Sequence, residues 1–393
     1  MKLLVVAPQP FFSPRGTPFS VYYRTLISVE FGCEIDFLTY GQGENVDIPN
    51  VRFYRTPPFS FLGPIKLGPS ALKLFHDIFI FFWMLWLLIR NKYDVVHVHE
   101  EAVFFATFLK PLFRFKLLYD MHSSLPQQLT NFNFTKSKFL INTFRWLEDK
   151  SLAKSEAIIT ICPDLFDYVN KVLPGNNKNF LIENSILEPV RIAGCSTVQN
   201  EEANALPVAI PATFKHIAVY AGTLESYQGI DLLIDAIPLI KEKNPDIGFV
   251  IVGGTQEQVE KFQRQANALN VTDNVIFTGR VAQNIARAYS NLATILLSPR
   301  SSGTNTPLKI YEQLASSIPL VATAIYSHTQ VLTDDVAFLV EPTPQDIARG
   351  VLEATNPNGS GKEKAINALN LYNKEYARPV YVKKLQTVLE YLS

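Results

Sequence analysis

Charge is scarce in this chain and cancels: charged residues make up 18%, with 36 Lys plus Arg against 36 Asp plus Glu. A net charge of zero gives no support to a general nucleic-acid-binding surface, and no nucleic-acid partner is expected. Cysteine is scarcer. Cys33, Cys162 and Cys195 lie far apart, without the close pairs that hold zinc, and read as buried or incidental thiols of a reducing compartment. A secretory leader is also missing, because the opening run Met1 to Ala7 is broken by Pro8 and Pro10 and reads as a first strand of a cytoplasmic protein. No solenoid repeat and no low-complexity tract is found. Long apolar runs are absent but for Ile78 to Ile89, which holds two tryptophans and is followed by Arg90 and Lys92. That run rises about 18 Å as a helix, short of the ~30 Å of a bilayer core. It reads either as a buried helix or as a helix dipping into a membrane interface, where Trp beside Lys or Arg is favoured.

What is present is apolar and alternating. Hydrophobic residues form 47% of 393 residues, enough for two α/β lobes facing a cleft. Short apolar runs predict strands at 3–7, 34–40, 51–55, 95–98, 117–120, 157–161 and 180–183, with helices between them, for example at 18–31, 137–154 and 163–172. The stretch 188–214 loses this pattern in Pro, Gly, Ser and Asn, which marks a linker. Alternation then restarts, with strands at 217–221, 249–252, 275–278, 294–297, 320–323 and 337–340 and helices at 230–241, 256–269, 285–291 and 308–316. The expected organisation is a doubly wound, Rossmann-like domain over 1–190, a linker over 191–213, a second such domain over 214–370, and a closing helix within 371–393 that starts at Pro379.

Ligands of doubly wound sheets bind beyond the carboxyl ends of the strands, so the loops that follow strands hold the candidates. After the first strand comes Ser13-Pro14-Arg15-Gly16-Thr17-Pro18, with Thr17 suited to an N-cap and Pro18 to a first helical position. It is not G-x-G-x-x-G, and it reads equally as a tight turn or as an anion contact. His122 directly follows another strand end and reads equally as a structural or a functional histidine; His97 and His99 alternate along a buried strand and suit the core, although that strand ends in Glu100 and Glu101, which could equally line the cleft. Gly222 to Gly229 opens the second domain with a turn that either only connects or holds a phosphate on backbone N–H groups. The most informative stretch is Ser298 to Ala315. There Thr306-Pro307 reads as a helix start, Arg300 and Lys309 supply charge for a pyrophosphate, and Glu312 supplies a carboxylate able to accept both hydroxyls of a ribose.

That stretch, with Pro319-Leu320-Val321-Ala322 behind it, resembles the C-terminal signature of the family 4 retaining glycosyltransferases, whose fold is GT-B. Arg15-Gly16-Thr17 is similar to their N-terminal glycine loop, Asp94 to His99 to their Asp-hydrophobic-Val-His-hydrophobic-His strand, and Glu183-Asn184-Ser185 to the step before their linker. Gly222 to Leu233, Gly253-Gly254 and Gly279-Arg280 match further loops of the family. The resemblance implies that Glu312 binds the donor ribose and that the backbone around Thr306, Leu308 and Lys309 holds the diphosphate. It also implies that His122 meets the transferred sugar and that Gly16 faces the phosphate or the acceptor. Gly222, Thr223, Gln228, Gly254, Arg280 and Thr304 complete the donor side. Two departures stand out: Thr223 and Gln228 replace the family's Arg and Lys, and Thr304 replaces the first of its two glutamates. Arg300, Lys309 and Arg280 are the expected substitutes for offsetting the leaving diphosphate.

The implied function is metal-independent transfer from a nucleotide sugar to a glycan or lipid-linked acceptor of cell-surface polysaccharide, with retention. No cofactor is implied beyond the nucleotide-sugar substrate, and no Asp-x-Asp motif is present to hold a metal. The expected location is the cytoplasm, peripheral at the inner face of the membrane through 78–89. One alternative is a degenerate protein that binds a sugar nucleotide or glycan without transfer. Another is a nucleotide-sugar epimerase on the same double plan, which the signature around Glu312 disfavours.

Overall fold

Six consecutive residues, Lys2–Ala7, open the chain as a strand (β1) in which Leu3, Leu4 and Val6 are wholly buried. A strand apolar on both faces belongs inside a parallel sheet with helices on either side. The computed structural model bears this out, and it describes all residues except 14–15, 64, 66–69, 127–136, 187, 189 and 191–205. Two units emerge, Met1–Thr197 with Arg378–Ser393, and Val198–Ala377.

The first unit alternates β1, α1 (Gly16–Glu30), β2 (Glu34–Thr39), β3 (Val51–Arg55), α2 (Ala71–Arg90), β4 (Val95–His99), α3 (Ala102–Phe113) and β5 (Lys116–Met121). Then follow α4 (Lys138–Lys154), β6 (Ala157–Thr160), α5 (Pro163–Val172) and β7 (Asn179–Leu181). Among the described residues its seven strands are all parallel, in the order β3-β2-β1-β4-β5-β6-β7. Helices α1 and α13 (Arg378–Leu392) share one core with the sheet, and α2, α3 and α5 share another. The sheet is therefore covered on both faces. Ser70 caps α2 by accepting from the Lys73 amide at 3.1 Å, and Pro163 starts α5, as its fixed φ favours.

The second unit contains β8 (His216–Ala221), α6 (Ile230–Lys243), β9 (Ile247–Val252), α7 (Gln256–Ala268), β10 (Val275–Gly279), α8 (Gln283–Asn291) and β11 (Ile295–Ser298). Then come α9 (Leu308–Ala315), β12 (Leu320–Thr323), α10 (Tyr326–Thr329), β13 (Phe338–Val340), α11 (Pro344–Ala354) and α12 (Gly361–Glu375). Its strands run parallel in the order β10-β9-β8-β11-β12-β13. A capping box, Thr255 with Gln258, fixes the start of α7, and Thr343 caps α11 ahead of Pro344.

Several expectations shift. The closing helix starts at Arg378 and belongs to the first unit, whereas 371–375 finish α12 of the second. Helix α1 begins at Gly16, so Thr17 lies in its first turn rather than at its N-cap, and Pro307 is the N-cap of α9 rather than its first residue. The apolar run 78–89 is the latter part of a 20-residue helix, long and apolar enough to cross a membrane by length and composition. It is nonetheless a domain helix. Its stripe His76, Ile80, Met84 and Leu87 is buried, and its Asp77 accepts from the Tyr40 hydroxyl. Most of the linker, with Cys195, lies outside the described residues, as do Pro14 and Arg15.

Candidate functional site

In the second unit β8 and β11 are neighbours, and the chain leaves them towards opposite edges, β8 to β9 and β11 to β12. Such a switch point is where open α/β sheets hold ligands. The loop after β8 (222–229) and the loop after β11 (299–307) meet there. Ser301 donates its backbone N–H to the Tyr227 carbonyl at 2.9 Å. Gly229, at φ +67°, approaches so closely that an added Cβ would lie 2.0 Å from the Pro299 carbonyl oxygen, so only glycine fits.

Both candidate cations lean onto the β8 loop. The Arg300 guanidinium lies over the Tyr227 ring, 5.1 Å from its centroid, and donates to the Asn305 carbonyl at 3.0 Å. The Lys309 ammonium lies 4.2 Å over the Tyr220 ring and donates to Gln228 Oε1 at 3.3 Å. Tyr220 is wholly buried, with its hydroxyl on the Thr223 carbonyl at 2.6 Å, so this platform is fixed. Arg300 and Lys309 thus stand beside Thr223 and Gln228, the two positions where the resemblance leaves cations missing. Burial, helped by the charge of Arg300, pushes the Lys309 ammonium down to about 7, and burial lowers Arg300 as well. Two like charges under poor solvation are a place where an anion gains.

Donors are ready for one. Helix α9 starts without a side-chain cap, and its positive end opens onto the same loop. Thr306 Oγ1 and Arg300 Nε are buried without a hydrogen-bond partner among the described residues. Beneath the loop, His328 donates Nδ1–H to the Thr323 carbonyl at 2.9 Å, and the Ser298 hydroxyl donates to its Nε2 at 3.1 Å. Burial pushes this imidazole to about 3, so it is a neutral prop. Glu312, further along α9, meets Arg287 Nε at 2.9 Å with its carboxylate half-exposed.

The other residues that the resemblance assigns to the donor spread outward. Gly222 N–H bonds the Val252 carbonyl at 3.0 Å and Gly253 N–H the Gly279 carbonyl at 2.9 Å, so the loops after β8, β9 and β10 form a tied series that includes Gly254. Arg280 is exposed at the end of β10, three strand positions from β11 or roughly 14 Å of sheet. Thr304 is exposed on the β11 loop, and Leu308 opens α9.

In the first unit the switch point lies between β1 and β4, and His122 follows the next strand, β5. His122 is buried within a polar cluster. His99 Nδ1 lies 3.1 Å from His122 Nε2, and Asp120 lies 3.4 Å from His122, 3.4 Å from His99 and 3.3 Å from His97. His97 and His99 are in the core, as expected, but as members of this cluster. The Arg24 guanidinium, with no exposure, pairs with Asp120 and donates to the Ile182 carbonyl at 2.8 Å. Burial alone would raise the Asp120 carboxyl, yet Arg24 and the histidines hold it well below the usual range. Burial lowers His122 and holds it neutral. His97, His99 and Asp120 have the spacing of ion ligands, but the charge of Asp120 is already met by Arg24. Beside this cluster Lys73 binds Glu100 at 2.8 Å and Glu101 at 2.7 Å. Loss of solvent, with Asp77 and Glu100 nearby and one cation shared between two acids, pushes Glu101 up to about 8. Gly16 is exposed at the start of α1.

Sequence reasoning missed Arg24, Lys73, Tyr220, Tyr227, Arg287 and His328. For two of them a signal existed. Arg24 falls in the stripe of Val21 and Ile27, and Lys73 is, with Asp77, one of two charges before Arg90 in α2.

The sequence model of Glycosyltransferase Family 4 matches residues 29–186, within the first unit, and that of Glycosyl transferases group 1 matches 209–368, within the second. The chain is 24% identical to a component of the phosphatidylinositol N-acetylglucosaminyltransferase of Arabidopsis thaliana, over 95% of this chain and 76% of that protein. It is 25% identical to a phosphatidyl-myo-inositol mannosyltransferase of Mycobacterium tuberculosis, over 42% of this chain and 44% of that one. Among solved structures, sucrose-phosphate synthase of Thermosynechococcus elongatus superposes with a TM-score of 0.73 at 15% identity, covering 100% of this chain and 98% of that one. Anabaena HepE, solved in complex with UDP-glucose, gives 0.68 at 15% identity, covering 100% and 99%. Two parallel-sheet Rossmann-like units, each matched by a glycosyltransferase model, make this chain a glycosyltransferase of GT-B architecture, similar to family 4.

Proposed function

We propose that the chain transfers a sugar, with retention and without a metal, from a nucleoside-diphosphate donor on its second unit to a lipid-linked or glycan acceptor. The observation that carries this reading is the switch point between β8 and β11, where Arg300, Lys309 and the uncapped start of α9 face one loop. In the transfer, the bond between the anomeric carbon and the β-phosphate oxygen breaks, and the acceptor oxygen bonds to that carbon. The acceptor's proton leaves with the phosphate oxygen. Charge builds on the diphosphate as it departs, and groups that bind it more tightly then lower the barrier. Arg300 and Lys309 take that task, Glu312 holds the ribose, and neutral His122 contacts the sugar. Named relatives that act on phosphatidylinositol and a solved relative holding UDP-glucose support the substrate classes. Cys33 and Cys162 are buried, as small apolar side chains of a protein in a reducing cytoplasm would be.

A second reading, binding without transfer, is favoured by Thr223, Gln228 and Thr304 in place of the family's charged residues. The test is nucleoside diphosphate release from a panel of labelled UDP- and GDP-sugars, with and without phosphatidylinositol vesicles and with chelator. Acceptor-stimulated, chelator-resistant release is expected. A nucleotide that binds but is never released from its sugar would favour the second reading.

A further inference from the structure

Helix α2 buries one stripe and exposes another. Leu74, Ile78, Phe82 and Ile89 are 58%, 53%, 60% and 68% exposed, with Trp86 among them. The neighbouring α3, packed against α2, exposes Phe108 and Leu112, and α4, packed against α3, exposes Phe139 and Trp146. Single exposed apolar residues are ordinary, but apolar outer rows on three adjacent helices mark an interaction face.

The charges say what covers it. Helix α3 has no carboxylate and the sole carboxylate of α2, Asp77, is buried, whereas Arg90, Lys92 and Arg114 are exposed at the C-terminal ends of the two helices. The Arg90 guanidinium lies 5.3 Å over the Trp86 ring, and the Lys150 ammonium 4.6 Å over that of Trp146. A second copy of this face would set cation against cation. An anionic bilayer surface satisfies both parts, taking apolar side chains among its acyl chains and cations at its headgroups. Helix α2 cannot cross such a bilayer, because its buried stripe is part of the domain core.

We propose that the outer faces of α2, α3 and α4 form a docking surface for an anionic lipid bilayer, broader than the run 78–89 and independent of whether sugar is transferred.

Flotation of the full chain with vesicles of phosphatidylcholine, with or without phosphatidylglycerol, tests this. Binding is expected only with phosphatidylglycerol and is expected to weaken with salt. The triple variant Ile78→Ser, Phe82→Ser, Ile89→Ser should lose at least tenfold in affinity while keeping UDP binding. The double variant Phe108→Ser, Leu112→Ser and the charge variant Arg90→Glu, Arg114→Glu should behave alike, which guards against one variant failing to fold. Wild-type protein that ignores anionic vesicles, or variants that float as well as wild type, would overturn the proposal. So would a concentration-dependent dimer that the serine variants abolish, since the occupant would then be a second copy.

Discussion

Lys309 would carry a measurable signature of the proposed donor site. Its ammonium is pushed down to about 7 in the protein alone, by burial and by Arg300, against an ordinary value of 10.5. A diphosphate placed against it favours the charged form, so binding above that value must draw a proton from solution. At pH 8 a group of pKa about 7 is roughly one-tenth protonated, and a contact worth roughly 1.5 to 3 kcal/mol to the charged form brings it to about six- to nine-tenths, so an uptake of about 0.5 to 0.8 proton per nucleotide is expected, against about 0.4 to 0.5 at pH 7. The terminal phosphate of UDP or GDP, with a pKa of about 6, is already ionised at pH 8 and adds little. Calorimetric titration in buffers of different ionisation enthalpy reads this uptake directly. Affinity should fall about ten- to a hundredfold in all between pH 6 and pH 10, and Lys309→Met should remove both the uptake and the slope. At pH 6 the variant should bind about ten- to a hundredfold more weakly than wild type, as loss of a charge-assisted contact of roughly 1.5 to 3 kcal/mol requires. By pH 9 wild type must first protonate a lysine that is about 1% charged, which costs ~2.7 kcal/mol, and the two proteins should converge. Without ligand the sign also follows: between 7 and 10.5 the unfolded chain holds the proton that the folded chain has lost, so stability gains as pH rises through that window. Equal proton uptake by wild type and variant at pH 8 would refute the placement of the diphosphate against Lys309.

Other outcomes are as specific. Glu312→Gln should weaken UDP or GDP binding by roughly 1.5 to 3 kcal/mol in the same calorimeter with melting unchanged, and unchanged affinity would remove Glu312 from the site. His122→Ala should lower transfer about a hundred- to a thousandfold while nucleotide affinity on the second unit stays, and equal losses in both would count against its contact with the sugar. Asp120→Asn leaves Arg24 as an unpaired buried charge and should cost about 3 to 5 kcal/mol in urea denaturation, with a smaller loss in the double variant Arg24→Met, Asp120→Asn.

Strands were the most legible part of the sequence, because a parallel strand buried on both faces is a mostly apolar run: Val95–His99 and Leu320–Thr323 fall within a residue of where those runs predict. Helix α11 had its start written in Thr343, Pro344 and Asp346, yet the sequence reading gives no helix there or at α12, whose polar run Gly361–Glu375 has few apolar positions. The start of α9 was legible too, since the signals from Thr306 to Glu312 are local. Tyr220, Tyr227 and His328 stayed hidden, because a ring under a cation or a prop under a loop is set by tertiary contacts between distant segments. The pairing of Arg24 with Asp120 spans α1 and β5 in the same way, and nothing in either segment names the other.

The return of α13 to the first unit bears on the order of synthesis. Its Tyr381, Leu385, Val388 and Leu392 fill the core shared with α1 and β1, and its Tyr381 hydroxyl receives Arg24 Nε at 3.2 Å. Domains made on the ribosome ordinarily fold from the N-terminal side as each is completed. Here the second unit, Val198–Ala377, is translated whole before the segment that closes the first. The later-made unit is thus the earlier to be complete, and the nascent first unit waits with an apolar groove open, a stage at which chaperone capture or aggregation competes with closure.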